Sequence, residues 1–330
     1  MLFFQTRVSR ALSFFLLGVF GACILMACQE GNAPSVDQTA TDCHWINHLA
    51  GETCVPNSPQ RIVDLTGLDY ALSLGIKPIA SDGAAQANFY LQDGVDGIED
   101  VGGDDTPNFE RILELKPDLI IGGSYLNVNY DLLSNIAPTV VIQDDYSGQW
   151  KDVFMQYGAT LGKTEKAEQV IERYYERAQA FQQQMGVRAA ETEVSVVRVY
   201  PTQINLYLAD SFCGTVIADA GLSRPPSQNL TASEAGTLFG NQIQYEVSKE
   251  KIPEMDGDAI FLWTFGHRDE IAQNAQYAKA QLKADPLWST LSAVQQDQVY
   301  EVPGEYWIGS GPIAANAVLD DLFKYLLEES

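Results

Sequence analysis

The chain is poor in histidine, cysteine and positive charge: 330 residues hold three histidines, five cysteines and 20 Lys+Arg against 44 Asp+Glu, for a net charge of −24. Each scarcity excludes something. Three histidines leave little for acid–base catalysis. The excess of acid sets the chain against phosphate backbones and anionic lipid, so nucleic acid is not an expected partner. There is no Gly-x-Ser-x-Gly elbow, no P-loop and no His-Glu-x-x-His, and Gly309-Ser310-Gly311 is too short a match to count. A hydrolytic enzyme is therefore the weaker reading, and no catalytic residue is assigned. Capture of a bare metal ion would need a cluster of His, Asp, Glu or Tyr ligands; only scattered candidates exist, so no direct metal site is expected.

Long apolar runs are scarce as well, with one exception at the N-terminus. Residues 1–10 carry Arg7 and Arg10, residues 11–27 are apolar apart from Ser13, and Leu25-Met-Ala27 leads directly into Cys28. A charged start, an apolar middle and a small-residue end are the layout of a secretory signal. The run is short for a bilayer span and lacks the basic cluster that stops a plain membrane anchor. Cysteine after Leu-Met-Ala resembles the bacterial lipobox, so cleavage after residue 27 and acylation of Cys28 are expected. Loss of the two arginines takes the mature chain from −24 to −26. Residues 28–42 are polar and aperiodic, a flexible tether between lipid and folded body.

Export bears on the remaining thiols. Cys43 and Cys54 lie 11 residues apart, and an oxidising compartment lets them pair. Zinc held with His44 and His48 is the alternative, although zinc favours tighter Cys-x2-4-Cys spacing. Cys213, between Phe212 and Gly214, reads as a small buried hydrophobe at a helix start.

From Arg61 onward short apolar strands alternate with short helices. Strands are expected at 61–65, 78–80, 118–121 and 139–142, with helices at 68–74, 109–115 and 132–136. Continuously apolar strands of this kind predict a mostly parallel sheet covered on both faces. A helix over 150–161 follows, then a long one to Met185, capped by Thr164 and ended by Gly186. Its stripe of Ala167, Val170, Ile171, Tyr174, Tyr175, Ala178 and Phe181 is helical. At about 1.5 Å per residue it spans a domain's width, which suggests a rigid strut. The alternation then resumes: strands at 194–200, 204–208, 259–263 and 298–302, and helices at 215–220, after Ser248, at 275–283 and at 313–327. The expected fold is α/β, with an N-terminal lobe at 43–149, connecting helices at 150–186 and a C-terminal lobe at 187–330. Ligand would sit between the lobes, beyond the carboxyl ends of the strands.

Several stretches carry a family resemblance: Pro59-Gln-Arg-Ile-Val-Asp-Leu65, Ala71-Leu-Ser-Leu-Gly-Ile-Lys-Pro78, Asn108-Phe-Glu-Arg-Ile-Leu-Glu-Leu-Lys-Pro-Asp-Leu-Ile-Ile-Gly122, Leu161-Gly-Lys-Thr-Glu-Lys-Ala-Glu168, Asp285-Pro-Leu-Trp288 and residues 314–325. Each is weak alone, but their order and spacing cover the chain from about Cys43 to its end. In this the chain resembles the class III solute-binding proteins of ABC importers, in the iron–siderophore (ferric dicitrate and hydroxamate) branch. Gly51-Glu-Thr-Cys54 is further similar to cyanobacterial members. The resemblance implies a monomeric extracytoplasmic lipoprotein, in the periplasm or on the outer face of the membrane. Its partners would be a ferric siderophore, an ABC permease with its ATPase, and the membrane through Cys28. No cofactor is implied, iron being carried only within the siderophore. Family members dock on the permease through one carboxylate per lobe, which places Glu110 and Glu250 in that role. Exposed carboxylates in first helical turns suit it physically.

The N-terminal lobe has few cations, only Lys77, Arg111 and Lys116 between residues 62 and 150. It offers Thr66, Asp82, Ser124, Tyr125, Asp145 and Tyr146 to a ligand. The C-terminal lobe offers Arg198, Tyr200, Phe265, His267, Arg268, Tyr306 and Trp307. Arg198 stands out, because an arginine inside Val-Val-Arg-Val-Tyr is an odd strand residue unless it meets an anion or a carboxylate; related proteins place a siderophore-binding arginine there. Tyr125 and Trp307 adjoin glycine-rich turns, where side chains are commonly presented. Trp263 could be core or cleft. Cations on one side only favour a weakly charged ferric hydroxamate or citrate–hydroxamate over a highly charged tris-catecholate. Cobalamin or haem on the same scaffold is the nearest alternative ligand.

Overall fold

The computed structural model describes residues 42–82, 90–102, 106–266 and 268–328. Among them no helix is long and apolar enough to cross a membrane. The signal, Cys28, most of the tether and His267 lie outside the described residues.

The folded body begins with a hairpin that apolar periodicity does not predict. Strands β1 (Cys43–His48) and β2 (Gly51–Pro56) pair antiparallel. The Cys43–Cys54 disulfide joins them, with Cα atoms 5.5 Å apart, so the expected pairing forms and the zinc alternative loses its thiols. Both histidines have other work. His44 Nδ1 lies 3.1 Å from Asn57 Oδ1, and His48 Nε2 lies 2.9 Å from Thr53 Oγ1.

Five parallel strands form the first lobe: β3 (Ile62–Leu65), β4 (Ala80–Ser81), β5 (Glu99–Asp100), β6 (Leu119–Gly122) and β7 (Thr139–Val141), in the order β5-β4-β3-β6-β7. Successive residues bury on opposite faces. Ile62, Leu119 and Ile121 join one cluster with Phe154 and Tyr157, while Val63, Leu65 and Ile120 join another with Ile112. The hairpin lies along β7, where the Leu49 N–H donates to Val141 O at 3.0 Å and the Thr53 hydroxyl to Thr139 O at 2.8 Å. It covers an edge that would otherwise present unpaired backbone.

The second lobe is mixed. Strands β8 (Val194–Val199), β9 (Ile204–Tyr207), β10 (Gln244–Val247), β11 (Ala259–Trp263) and β12 (Val299–Glu301) run in the order β10-β9-β8-β11-β12. Pairs β8/β11 and β11/β12 are parallel, whereas β8/β9 and β9/β10 are antiparallel. The sequence pattern did not reveal β10 or the Ala232–Phe239 helix, which opens on a Thr231–Glu234 capping box. Two reversals leave β10 pointing the same way as β8 and β11. Val196, Phe261 and Trp263 face one cluster; Val197, Ile260 and Leu262 face the other.

Between the lobes runs the Thr164–Met185 helix. Thr164 does not cap it, as the N-cap position belongs to Lys163 and no side chain caps it. Gly162, at φ 63°, makes the turn into it instead. The first part of its apolar stripe, Ala167 and Val170, belongs to the core of the first lobe. Tyr174, Ala178, Phe181 and Met185 belong to that of the second. One helix is therefore cemented into both lobes, the expected strut.

Candidate ligand-binding cleft

The expected ligand residues fall into two groups, one at the strand ends of each lobe. On the second lobe, Arg198 sits next to the last residue of β8 and is 8% exposed. Its guanidinium carbon lies 4.0 Å from the centre of the Tyr200 ring, 4.8 Å from Trp263 and 5.9 Å from Phe265. Nη1 donates to the Tyr207 hydroxyl at 2.9 Å, while Nε has no hydrogen-bond partner among the described residues. Three aromatic faces give part of what water would. Arg198 makes no ion pair among the described residues.

A second buried arginine holds the first in place through Tyr207. Arg224, 7% exposed, donates through Nη2 to Tyr207 O and to Gln228 Oε1, the latter at 2.7 Å. Burial lowers its pKa to about 10, so it remains a cation at neutral pH. Gln228 in turn donates to Ser195 Oγ at 2.6 Å and accepts from Val196 N at 2.8 Å, which ties this network to the first half of β8. Local sequence singles out neither Tyr207 nor Arg224. Tyr207 looks like an ordinary apolar strand residue and Arg224 like a loop charge before two prolines.

The opposite lobe is acidic. Asp64 in β3 is fully buried and accepts from Thr66 N at 2.9 Å, Gly67 N at 3.3 Å and the Tyr157 hydroxyl at 3.0 Å. Burial raises its pKa to about 7 against the pull of those donors. Asp82, after β4, is also pushed up by burial, and the Tyr125 hydroxyl donates to it and to Leu65 O, the latter at 2.9 Å. Ser124 N donates to Asp144 Oδ1 at 2.6 Å. Thr66, Ser124 and Tyr125 thus gather at the carboxyl ends of β3 and β6. Tyr125 is 52% exposed. Arg111, a cation of this lobe, is spent on Glu99 and Glu114.

Trp307, expected at the cleft, is fully buried: it stacks on Phe261 at 4.8 Å and donates from its indole to Asp321 Oδ2 at 2.8 Å. The helical turn Gly304–Trp307 drives it into the core, which proximity to glycines could not foretell. Tyr306 is half-buried and donates to the same Asp321 oxygen at 2.9 Å. Trp263 proves to be both things, 1% exposed in the core and also a wall of the cage. Arg268 is exposed at the N-cap of the Asp269–Lys283 helix. An open groove of about 950 Å³ beside β10, lined by Asn205, Phe239, Tyr245 and Lys251, contains no cage residue.

Both glutamates emerge at carboxyl edges of their own sheets. Val101, just after β5, donates to Ser81 O at 2.9 Å and accepts from Asn108 N at 2.7 Å. Asn108 then caps the Phe109–Leu115 helix, whose first turn exposes Glu110. Glu250 follows β10 by three residues and is exposed. Its neighbours Ser248 and Lys249 line a groove of about 360 Å³ together with Tyr200, which places this turn beside the cage.

The sequence profile of a family described as periplasmic binding protein matches residues 63–306. A probable siderophore-binding lipoprotein of Bacillus subtilis, YfiY, is 34% identical over 95% of this chain and 96% of its own length. The achromobactin-binding periplasmic protein of Dickeya dadantii is 28% identical over 81% of this chain and 86% of its own. Among solved structures, Staphylococcus aureus SirA complexed with staphyloferrin B superposes with a TM-score of 0.74 at 29% identity, covering 86% of this chain and 98% of that one.

Proposed function

From the premise that the chain belongs to the periplasmic binding protein family, we propose that it captures a ferric siderophore outside the cytoplasmic membrane and delivers it to an ABC permease and its ATPase. The observation that carries this reading is the Arg198 cage. A buried guanidinium with aromatic faces around it and no carboxylate among the described residues is costly to keep. An anionic edge of a chelate would offset that cost. Relatives whose names assign them siderophores support the ligand class.

The first lobe narrows the choice. Asp82 and Asp144, partly exposed, and Asp64, buried in β3, have no basic partner among the described residues, so this lobe would repel a chelate that is negative all round. A ferric hydroxamate or a mixed citrate–hydroxamate presents donors and little charge to that side, and is the favoured ligand. Quenching of the protein's tryptophan fluorescence by ferric hydroxamates, ferric catecholates, haem, cobalamin and bare Fe(III) tests this. Tightest binding of a hydroxamate-type chelate is expected. A marked preference for catecholates would overturn the choice of ligand, and binding of haem or cobalamin alone would overturn the siderophore reading.

Cys28 carries the lipid that holds this binder at the membrane, and Glu110 and Glu250 dock it on permease arginines. Their exposure at the carboxyl edges of the two sheets supports the docking role. Alanine at both positions should abolish iron uptake in cells while leaving chelate affinity in vitro unchanged. A loss of affinity, or uptake at the wild-type rate, would sink the assignment.

A further inference from the structure

One buried carboxylate crosses between the lobes. Asp69 lies in the first turn of the Leu68–Ser73 helix, directly after β3, and is 2% exposed. Its two oxygens accept from the backbone N–H groups of Ile313 (2.9 Å) and Ala314 (2.8 Å), 244 and 245 residues further on. These belong to the Pro312–Phe323 helix, whose residues Ala314, Ala315, Val318, Leu319 and Leu322 are core of the second lobe. No residue of that helix's own flank caps its first turn, so the first lobe supplies the missing acceptor. Ser73 Oγ donates to the same carboxylate at 3.1 Å, and Tyr90 also bonds to it. Around it Leu68, Leu91 and Val95 pack with Ile313.

The approach is close enough to need glycine. Gly311 has an extended backbone (φ −158°), so its conformation does not require glycine, yet a Cβ there would lie 2.5 Å from Asp69 Oδ1. The strut alone would leave the lobes free to bend and twist about one helix. The Trp150–Thr160 helix also joins both cores and bonds to Thr215 and Asp219 of the second lobe; the two charge-assisted hydrogen bonds to Asp69 add an attachment on the Pro312–Phe323 helix that further restricts that freedom.

We infer that Asp69 is a positioning residue that pins the C-terminal helix to the first lobe and so sets the width of the cleft before ligand arrives. It touches no ligand. The pin acts by holding the Arg198 cage and the Tyr125 wall at a fixed separation, so that binding need not order the lobes first. This rests on the cleft being the ligand site, but its geometry is independent of which ligand is carried.

The test uses the full chain in three variants, with small-angle scattering of ligand-free protein and affinity for a ferric trihydroxamate as readouts. The wild type should scatter alike with and without chelate. Asp69→Ala and Gly311→Ala, which remove the pin from opposite sides, should both expand the ligand-free particle and weaken binding about tenfold. Asp69→Asn keeps one acceptor and should stay within about threefold of wild type. If both alanine variants scatter and bind as wild type and only melt earlier, Asp69 is a stabilising cap and the inference fails. If no ferric chelate binds the wild type, the transport reading fails, while ligand-free scattering still decides the pin.

Discussion

The two lobes are built alike, and both are acidic overall, but the ionisable groups they bury differ in sign. Each has a five-stranded sheet with core on both faces, and each buries ionisable groups near its strand ends. In the first lobe these are carboxylates, Asp64 fully buried and Asp69 2% exposed; in the second they are arginines, Arg198 at 8% and Arg224 at 7%. Among the described residues neither set is neutralised by ion pairing. The carboxylates take N–H and hydroxyl donors, and the arginines take aromatic rings, a phenol, a carbonyl and an amide. A fold kept only for stability would pair such charges or replace them with apolar side chains, which is often neutral or stabilising. Keeping them apart leaves Arg198 without a carboxylate partner among the described residues, the feature on which the proposed capture of an anionic chelate rests.

The comparison breaks first at Arg198. Arg198→Met preserves stem volume and cage packing but removes the charge, and should weaken chelate binding by 100-fold or more, about 3 kcal/mol. Arg198→Lys should fall between, since an ammonium keeps the charge but not the planar stack on Tyr200. Titration by fluorescence quenching reads both. An affinity within threefold of wild type for the methionine variant would show that the unpaired cation is not what the ligand meets.

Stability against pH sharpens the other half. The Asp64 pKa is raised from its ordinary 3.8 to about 7, so the folded chain holds this proton more tightly than the unfolded one. Its contribution is fully present below pH 3.8 and is lost as pH rises through 7. Between these limits stability should rise on acidification, by up to about 1.4 kcal/mol per pH unit from this group. Asp69, raised to about 6, acts in the same sense over a narrower window. Denaturant unfolding at several pH values from 5 to 8 should show this slope in the wild type and a shallower one in Asp64→Asn. A flat wild-type profile would mean that the first lobe's carboxylates are better solvated than their burial implies.

How much of this was written in the sequence depends on the range of the interaction. The Phe109–Leu115 helix lies where local spacing puts it, and four of the five strands of the first lobe lie within a few residues of their expected bounds, because apolar runs and Pro/Gly breaks are local signals; β5, two residues with no apolar side chain, gives no such signal. Arg198 was legible as a charge in a β-branched run. Asp64, in Ile-Val-Asp-Leu, carries the same signal inside a family motif. The burial of Trp307 was not legible, because its neighbouring glycines indicate a turn but not which way the ring faces. The Asp69 pin spans 244 residues, and nothing in either segment alone announces the other. Strand β10 is four residues long with one exposed charge, too short a pattern to separate from loop, although it is what carries Glu250 to the cage's edge.

The smallest expected effect is the most discriminating. Tyr125 donates to Asp82 and Leu65 O from a half-exposed ring. Tyr125→Phe removes one hydroxyl and leaves the Asp82 carboxylate without that donor, so the Asp82 pKa, already raised by burial, should rise further. Because the ring is exposed, overall stability should shift by no more than about 0.5 kcal/mol. Chelate affinity should fall threefold to tenfold, about 1 kcal/mol, the worth of one neutral hydrogen bond. That loss should shrink as pH drops and Asp82 takes up its own proton, which then supplies a donor in place of the lost phenol. If Tyr125→Phe cost as much as Arg198→Met, the first lobe would hold the ligand as strongly as the second, and the contrast between a cationic anchor and a weakly engaged acidic wall would not stand.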